Sequence, residues 1–308
     1  MDFSKGAVNT TIPAPLEDEY REVAWAIPEY SAKPEFEPIW INRPNVQDFD
    51  VKFEMLYCGI CHSDCHIGLN HMAAWRPCHY PFVGGHELLG RVVEVGPKVT
   101  KVKVGEAVGV GCFVDACLEC ENCKAGHENY CEKGLTATYN ADRKHGRYHG
   151  NPESKTWGGY SGSNVVNENF ILKIPDSLPL EFSAPIMCAG ITMYSPLRDH
   201  GATAGKKMTI GVIGVGGLGT MGIKLAAALG HEVVAISTSA GKEEAARKKG
   251  ATEFVVSTDP ESVKKHLASC DIILDTVSAP HPLTTYLSLL ATGGVFVCLG
   301  INPGVQVD

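Results

Sequence analysis

The chain has 308 residues and a formal net charge of −8, with 27 Lys and Arg against 35 Asp and Glu. Hydrophobic residues make up 44% and charged residues 20%, as in ordinary globular proteins, which excludes wholesale disorder. The acidic balance argues against nucleic acid or an anionic membrane as a partner, because both bind basic surfaces. The sequence shows no secretory signal and no apolar run near the roughly 18 residues that span a bilayer. We therefore expect a cytoplasmic protein of about two domains.

The first half of the chain is rich in short segments with the composition of strands. They include residues 51–57, 90–95 and 106–110. The second half alternates strand and helix patterns, and Pro175 and Pro179 mark the passage between the halves. We therefore predict a β-rich domain over residues 1–173 and a second domain over residues 174–308.

The chain holds 12 cysteines, and four of them follow the pattern C-x2-C-x2-C-x7-C. These four are Cys117, Cys120, Cys123 and Cys131. Without a secretory signal, clustered cysteines more often bind metal than form disulfides. Four thiolates in one loop can surround a zinc ion at about 2.3 Å from each sulfur, with no position left for a substrate. The pattern favours a structural zinc over two disulfides or a redox-active pair, and it leaves an iron–sulfur cluster open.

A second set of cysteines and histidines is scattered along the chain. Its members are Cys58, Cys61, His62, Cys65, His66, His86 with the adjacent Glu87, and Cys188. A catalytic zinc takes three protein ligands and keeps one position open. Spacing alone does not choose among these residues, because a buried His86 and a Cys188 in an apolar stretch are as readily explained by packing.

A glycine-rich turn opens the second half. Residues 208–213 form a short apolar run, the pattern G-x-G-G-x-G follows, and apolar residues then recur at helical spacing as far as Gly230. The glycines of the turn are Gly214, Gly216, Gly217 and Gly219. Strand, glycine turn and helix in this order predict a dinucleotide site, because backbone N–H groups and a helix N-terminus can bind a pyrophosphate. A tight turn without a ligand is the alternative.

Strand and helix patterns continue to alternate toward the end of the chain. Strands are predicted over residues 231–236, 253–256, 271–276 and 295–299, and helices over 242–249, 261–268 and 282–290. This alternation predicts an α/β domain with a doubly wound parallel sheet of the Rossmann type.

The residues after the second strand of that sheet indicate the nicotinamide cofactor. An NAD site usually carries Asp or Glu there for the ribose 2′-hydroxyl, whereas this chain has no carboxylate before Glu243. The residues present are Ser237, Thr238, Ser239 and Lys242. Hydroxyls and an amine can bind the 2′-phosphate that a carboxylate repels, so we predict NADP(H). A solvated turn with an ordinary surface lysine is the alternative.

Five motifs, in order, resemble those of the zinc-dependent medium-chain alcohol dehydrogenases. They are CGICHSDCH, GGHELLG, the four-cysteine loop, IMCAGITMYSPL and GVIGVGGLG. The sequence is similar to the cinnamyl alcohol dehydrogenase group and to its broad-specificity NADP-dependent aldehyde reductase relatives, from about Glu22 onward. The resemblance implies a GroES-like zinc-binding catalytic domain followed by a Rossmann NADP-binding domain, and a homodimer when the chain is full-length.

The resemblance also assigns the scattered set. It implies a structural zinc on the four-cysteine loop and a catalytic zinc with the carboxylate of Glu87 behind it. The implied ligands of the catalytic zinc are Cys61, His86 and Cys188. By the same resemblance Asp64 orients His86, since such partners fix the tautomer of a ligating imidazole.

Three residues of the CGICHSDCH motif take roles by the same resemblance. Ser63 contacts the substrate oxygen, His66 relays the proton through the cofactor ribose, and His62 lies by the cofactor phosphates. Zinc in such a site polarises a carbonyl as a Lewis acid, and a histidine with a pKa of about 6.5 suits the solvent end of a relay. We therefore expect hydride transfer between NADP(H) and a small-molecule primary alcohol or aldehyde, aromatic or aliphatic.

The chain stops at Asp308, shortly after the fifth predicted strand, whereas a doubly wound dinucleotide sheet normally has a sixth. We therefore expect a truncated C-terminus that lacks the last strand and the return to the catalytic domain. A catalytically inactive fragment and a non-catalytic zinc module for protein interaction are the alternatives. The zinc module predicts one zinc per chain, whereas the enzyme predicts two.

Overall fold

Two units of the chain each contain their own sheet, Met1–Cys188 and Ala189–Asp308. The computed structural model describes residues 14–74, 76–145 and 155–301. In these described ranges no helix is both long and apolar enough to cross a membrane. The first unit is β-rich and the second alternates strands and helices around a parallel sheet, which confirms the predicted fold class.

The first unit is built on antiparallel strands. Its regular elements are β1 (Glu19–Ala26), β2 (Glu37–Pro44), β3 (Asp50–Gly59), α1 (His62–Gly68), β4 (Glu87–Val95), β5 (Ala107–Val110), β6 (Phe113–Asp115), α2 (Glu121–Lys124), β7 (Thr136–Ala137), β8 (Ser163–Asn167), β9 (Leu172–Lys173) and α3 (Leu180–Ser183). Five strands form one sheet in the order β8-β3-β4-β5-β9, and every neighbouring pair is antiparallel. The pairs β1–β2 and β6–β7 form two further antiparallel sheets.

The core of the first unit comes from the apolar alternation of its central strands. Val51 and Phe53 of β3 are fully buried, and Leu88 and Val92 of β4 pack in the same cluster. Residues two apart on a strand point to the same face, so the alternation directs these side chains into one core. Three cysteines of the four-cysteine loop belong to that cluster: Cys120, Cys123 and Cys131.

Residues 174–188 pack on the first unit. A 3₁₀ helix, Ala184–Met187, lies against Leu89 and Ile174, and a Cβ on Gly109 would come within 2.5 Å of the Met187 sulfur. The division between the two units therefore falls after Cys188, whereas the sequence placed it at residue 173. The prolines that suggested the earlier position lie in a segment that returns to β4 and β5.

The second unit is a parallel five-stranded sheet with helical connections. Its elements are α4 (Ala189–Asp199), β10 (Thr209–Ile213), α5 (Gly217–Ala228), β11 (Glu232–Ser237), α6 (Glu243–Lys248), β12 (Glu253–Val256), α7 (Pro260–Lys264), β13 (Cys270–Asp275), α8 (Leu283–Leu287) and β14 (Leu290–Cys298). The strand order is β12-β11-β10-β13-β14. The last helix was predicted to end at Leu290 and the last strand to begin at Val295. In the structure α8 ends at Leu287 and β14 begins at Leu290.

A buried arginine on β2 fixes the segment that borders the candidate active site. Arg43 has no exposed surface, and its guanidinium donates to the carbonyls of Trp157 and Gly158 and to the side chains of Ser161 and Asn164. Burial disfavours the charged guanidinium and lowers the pKa of Arg43 to about 10. A buried charge is tolerated only where hydrogen bonds replace water, so this network holds residues 157–164 in one position.

Candidate active site

Four residues from distant parts of the first unit converge on one point. They are Cys61, His86, Glu87 and Cys188, and their ligand atoms all lie within 4.8 Å of one another. The sulfurs of Cys61 and Cys188 are 3.9 Å apart although 127 positions separate them in the sequence. Two sulfurs bound to one tetrahedral zinc at about 2.3 Å lie about 3.8 Å apart, so the donors and their spacing fit zinc.

Each of these side chains is positioned by the end of an element. Cys61 is the N-cap residue of α1, and Cys188 follows the 3₁₀ helix that packs on β4 and β5. His86 immediately precedes β4, and Glu87 begins that strand. A Cβ at Gly59 would lie 1.9 Å from the Glu87 carboxylate, so only glycine allows this carboxylate its place beside β3.

A buried carboxylate ties Cys61 and His86 together. Asp64 accepts hydrogen bonds from the backbone N–H groups of Cys61 and Gly85 and from the Tyr160 hydroxyl, each at 2.9 Å. Its Oδ1 also lies 3.4 Å from His86 Nδ1. Burial works to raise the pKa of Asp64, but His86 and the two N–H donors outweigh burial and lower it. Asp64 therefore remains ionised where it can orient the His86 ring.

The electrostatic environment of this cluster favours a cation. Burial opposes a charge on His86, yet hydrogen bonds with Asp64, Cys188 and Cys61 raise its pKa. Burial and the adjacent Cys61 sulfur raise the pKa of Glu87 to about 7. The half-buried sulfurs of Cys61 and Cys188 and the buried carboxylate of Glu87 would be stabilised in their ionised forms by a metal ion, as expected for a zinc-ligand set.

The four-cysteine loop also gathers its sulfurs. Their ligand atoms lie within 4.8 Å of one another, and all four are free thiols, with 3.9 Å between the sulfurs of Cys117 and Cys123. A disulfide needs about 2.05 Å, so the geometry is that of a metal site. The backbone N–H groups of Cys120 and Cys117 point at the sulfurs of Cys117 and Cys131, each at 3.4 Å. Backbone hydrogen bonds lower the pKa of Cys120 to about 6, which favours the thiolate that zinc binds.

In the second unit, the glycine turn has the geometry of a dinucleotide loop. Gly214 has a φ of +90°, and a Cβ on Gly219 would lie 1.8 Å from the Gly214 carbonyl oxygen. No heavy atom in the described part of the chain lies within 4 Å of a Cβ built on Gly216 or Gly217, where α5 begins. The turn thus combines tight packing on one side with open backbone on the other, where a pyrophosphate can approach.

The predicted 2′-phosphate residues surround the end of β11. Ser237 is buried, and its hydroxyl accepts the Ser239 N–H at 3.2 Å, so it shapes the turn. Thr238, Ser239 and Lys242 are exposed, and Lys242 ends a short 3₁₀ helix, Ala240–Lys242, that follows Ser239.

Comparisons with known proteins agree with this geometry. A family model described as an alcohol dehydrogenase GroES-like domain matches residues 47–176, and one described as a zinc-binding dehydrogenase matches residues 217–307. NADP-dependent alcohol dehydrogenase C 1 of Mycolicibacterium smegmatis is 49% identical over 276 residues, which are 88% of this chain and 76% of that protein. The chain belongs to the zinc-binding alcohol dehydrogenases.

Other relatives of this dehydrogenase extend the comparison. Aldehyde reductase YahK of Escherichia coli is 47% identical and is matched over 89% of this chain and 76% of its own length. The structure of a cinnamyl alcohol dehydrogenase from Sorghum bicolor superposes with a TM-score of 0.81 at 41% identity, over 90% of this chain and 75% of that one. A cinnamyl alcohol dehydrogenase of Helicobacter pylori, complexed with NADP(H), gives a TM-score of 0.80 at 35% identity, over 92% and 77% of the chains. The family predicted from the five motifs is therefore confirmed.

The predicted relay residues of this dehydrogenase lie on α1. The hydroxyl of Ser63 is 3.5 Å from the Cys61 sulfur, so it borders the candidate zinc site. The ring of His66 lies 4.6 Å, between centroids, from that of the exposed His62. The Nε2 atom of His66 is shielded from solvent and has no hydrogen-bond partner among the described residues.

Three residues that lie near the site of this dehydrogenase were not predicted from the sequence. The Tyr139 hydroxyl lies 3.1 Å from His86 Nδ1, on the side already facing Asp64, which leaves Nε2 as the nitrogen available to a metal. The neighbouring Cys188 side chain lowers the pKa of the Cys112 thiol. Tyr160 reaches Asp64 from the segment that Arg43 fixes. Each contact joins segments that are far apart in sequence, so no local pattern could have revealed it.

Proposed function

We propose that this dehydrogenase transfers hydride between NADP(H) and a primary alcohol or aldehyde. The observation that carries the proposal is the convergence of Cys61, His86 and Cys188 within 4.8 Å, with Glu87 beside them. Two cysteines and one histidine that leave a fourth position open are the ligands of a catalytic zinc in alcohol dehydrogenases. The names of two relatives, an NADP-dependent alcohol dehydrogenase and an aldehyde reductase, support the same chemistry.

The residues around the candidate zinc have separable tasks. Zinc, when bound, supplies Lewis-acid polarisation of the substrate oxygen. Asp64 and Tyr139 contact His86 Nδ1 and thereby keep Nε2 directed at the ligand set. The hydroxyl of Ser63 exchanges a proton with the substrate oxygen, and His66 passes it onward. A serine hydroxyl is too weak an acid to be the source, so we give it the relay role.

The second unit supplies the cofactor site in this proposal. The glycine turn binds the pyrophosphate at the N-terminus of α5. The family resemblance gives His62 a role at the cofactor phosphates. Thr238, Ser239 and Lys242 bind the 2′-phosphate, with Ser237 supporting the turn from beneath. The four-cysteine loop holds a second, structural zinc that stabilises the first unit.

The remaining properties follow from the family and the composition. We propose a cytoplasmic homodimer acting on small-molecule aldehydes and alcohols, without nucleic-acid or membrane partners. The net charge of −8 supports the last point, because polyanionic partners bind basic surfaces.

Metal content together with turnover tests the proposed function. The purified protein should contain two zinc ions per chain and should reduce aldehydes with NADPH. Cys188→Ser should retain one zinc and lose turnover, whereas Cys298→Ser, an exposed thiol, should change neither. One zinc per chain without turnover would favour the non-catalytic zinc module, and activity retained in Cys188→Ser would remove this residue from the ligand set.

A further inference from the structure

The C-terminal end of α1 forms a Schellman motif that brings two histidines together. The helix ends at Gly68 with Leu69 as its C-cap, and the next residue, Asn70, is left-handed with a φ of +57°. The N–H of His71 donates to the His66 carbonyl at 2.9 Å and that of Asn70 to the Ile67 carbonyl at 2.8 Å, which are the two hydrogen bonds of the motif. The motif normally joins two apolar side chains at these positions. Here the two residues are His66 and His71.

The spacing of the two rings is that of a pair of metal ligands. His66 Nδ1 and His71 Nδ1 lie 3.4 Å apart. Hydrogen bonds from nitrogen in proteins cluster near 2.9–3.0 Å, so this separation is long for a direct N–H···N bond. Two nitrogens bound to a tetrahedral zinc at about 2.0–2.1 Å lie about 3.3–3.4 Å apart. The observed distance therefore matches the edge of a zinc coordination tetrahedron.

The pair is accessible to solvent, and His66 has the protonation state that a metal requires. His71 is exposed, so an ion can reach the pair from solvent. Burial and the neighbouring His62 and His71 lower the pKa of His66 below 6.5, so its imidazole is neutral at pH 7. Metals bind neutral imidazole. The backbone is held as well, because the Asn70 side chain accepts the Cys78 N–H at 2.9 Å.

We propose that His66 and His71 form a third metal site, which binds one Zn²⁺ from solvent and inhibits the enzyme when occupied. Water completes the coordination of the ion. A metal on Nδ1 takes the lone pair of that nitrogen, so the His66 ring can no longer pass a proton from one nitrogen to the other. The inhibition rests on the relay role proposed above for His66, whereas the binding of zinc does not.

Equilibrium dialysis against Zn²⁺, with the protein already loaded with its two zinc ions, tests the site directly. The unmodified protein should take up one additional, weakly held zinc per chain. His71→Gln should weaken that binding at least about tenfold, since even indirect partners of a metal ligand contribute about 10–100-fold to affinity. His71→Asp, whose carboxylate can still bind the metal, should bind the additional zinc more tightly than His71→Gln. His200→Gln, an exposed histidine of the second unit, should bind zinc as the unmodified protein does.

Measuring turnover at increasing Zn²⁺ concentration distinguishes zinc binding at the third site from inhibition of the enzyme. Added zinc should inhibit the unmodified enzyme and His200→Gln at the concentrations that fill the third site, and His71→Gln should resist. Equal zinc uptake by His71→Gln and the unmodified protein would overturn the site. Uptake that depends on His71 but leaves turnover unchanged would uphold the site and overturn both its inhibitory effect and the relay role of His66.

Discussion

His281 Nε2 lies 3.0 Å from the carboxylate of Asp275, and both side chains are at most 9% exposed. The other ring nitrogen lies 2.7 Å from the Ala279 carbonyl, and Asp275 also accepts the N–H of Val277 at 3.0 Å. The ring thus ties residues 276–281 to the end of β13. This segment borders the dinucleotide turn, because the Thr276 hydroxyl donates to the Ile213 carbonyl at 2.7 Å.

Replacing His281 by Leu should therefore weaken cofactor binding. The change removes the His281 partner from one oxygen of the buried Asp275 carboxylate, and an unsatisfied buried acceptor costs about 1–3 kcal/mol. If about 1 kcal/mol of this cost is lost from the binding free energy of NADPH at the glycine turn, the KM for NADPH rises about fivefold. Steady-state kinetics should show this rise with little change in kcat, and His200→Leu should show none. An unchanged KM would mean that the segment does not position the turn.

Asp64→Asn should loosen the catalytic zinc. The amide nitrogen cannot accept the hydrogen bonds that Cys61, Gly85 and Tyr160 now donate to the two carboxylate oxygens. Loss of such a partner typically lowers metal affinity about 10–100-fold. Competition with a chelator, followed by metal analysis, should show one zinc lost earlier than in the unmodified protein. Asp115→Asn, whose carboxylate accepts only a local N–H among the hydrogen bonds described, is the matched control.

The parts of the molecule that local pattern specifies were predictable. The strand, turn and helix around Gly214 and the clustering of the four-cysteine loop depend on neighbours within a few residues, and the structure has both. Which side chains a helix buries was less predictable. In α5, for example, the buried face includes Gly219, Gly222 and Ile223, whereas the larger Leu218 is only partly buried. A Cβ at position 222 would lie 2.2 Å from the terminal methyl of Met193, and only the fold reveals that neighbour.

The ligand set for the catalytic zinc could be named from the sequence only through family resemblance. The spacing of Cys61, His86 and Cys188 contains no sign of their proximity, which arises because the fold brings together the start of α1, the start of β4 and the end of a 3₁₀ helix. The surroundings of the set were missed for the same reason. Tyr139 reaches His86 from a segment 53 residues away.

Removal of one thiol from the four-cysteine loop should destabilise the first unit. Cys123 is buried in the main core cluster, so a zinc held there is coupled to the packing of β3 and β4. A loss of about 3 kcal/mol lowers the Tm by about 6–12 °C for a unit of this size. Differential scanning calorimetry of Cys123→Ser should show this decrease together with the loss of one zinc. Cys298→Ser should melt as the unmodified protein does, and equal melting of both variants would argue against a structural metal.

The pH dependence of alcohol oxidation should report on His66. Burial and the charges of His62 and His71 lower the pKa of His66 below 6.5. In the oxidative direction His66 must accept a proton, so kcat/KM falls as the pH decreases through this pKa. The electrostatic interaction with His71 contributes to this lowered pKa, so its removal in His71→Gln should move the midpoint upward, toward 6.5. A pH profile that keeps its midpoint, or moves it downward, would contradict the relay role or the coupling of the two rings.

The choice between NADPH and NADH should depend on Lys242. This exposed lysine follows the buried Ser237 and the exposed Ser239 at the end of β11, and its charge is the one cation in the predicted 2′-phosphate set. Lys242→Glu replaces attraction to the 2′-phosphate by repulsion, and each reversed contact of about 1.4 kcal/mol changes affinity about tenfold.

The ratio of kcat/KM for NADPH to that for NADH should therefore fall by at least about tenfold in Lys242→Glu, through KM for NADPH rather than through kcat. Lys265→Glu, which makes the same charge change at another exposed position of the second unit, should leave the ratio as it was. If both variants lower the ratio equally, the preference arises from the overall charge of the unit. If neither lowers it, the 2′-phosphate binds elsewhere, and the hydroxyl-rich turn after β11 serves only to connect two elements.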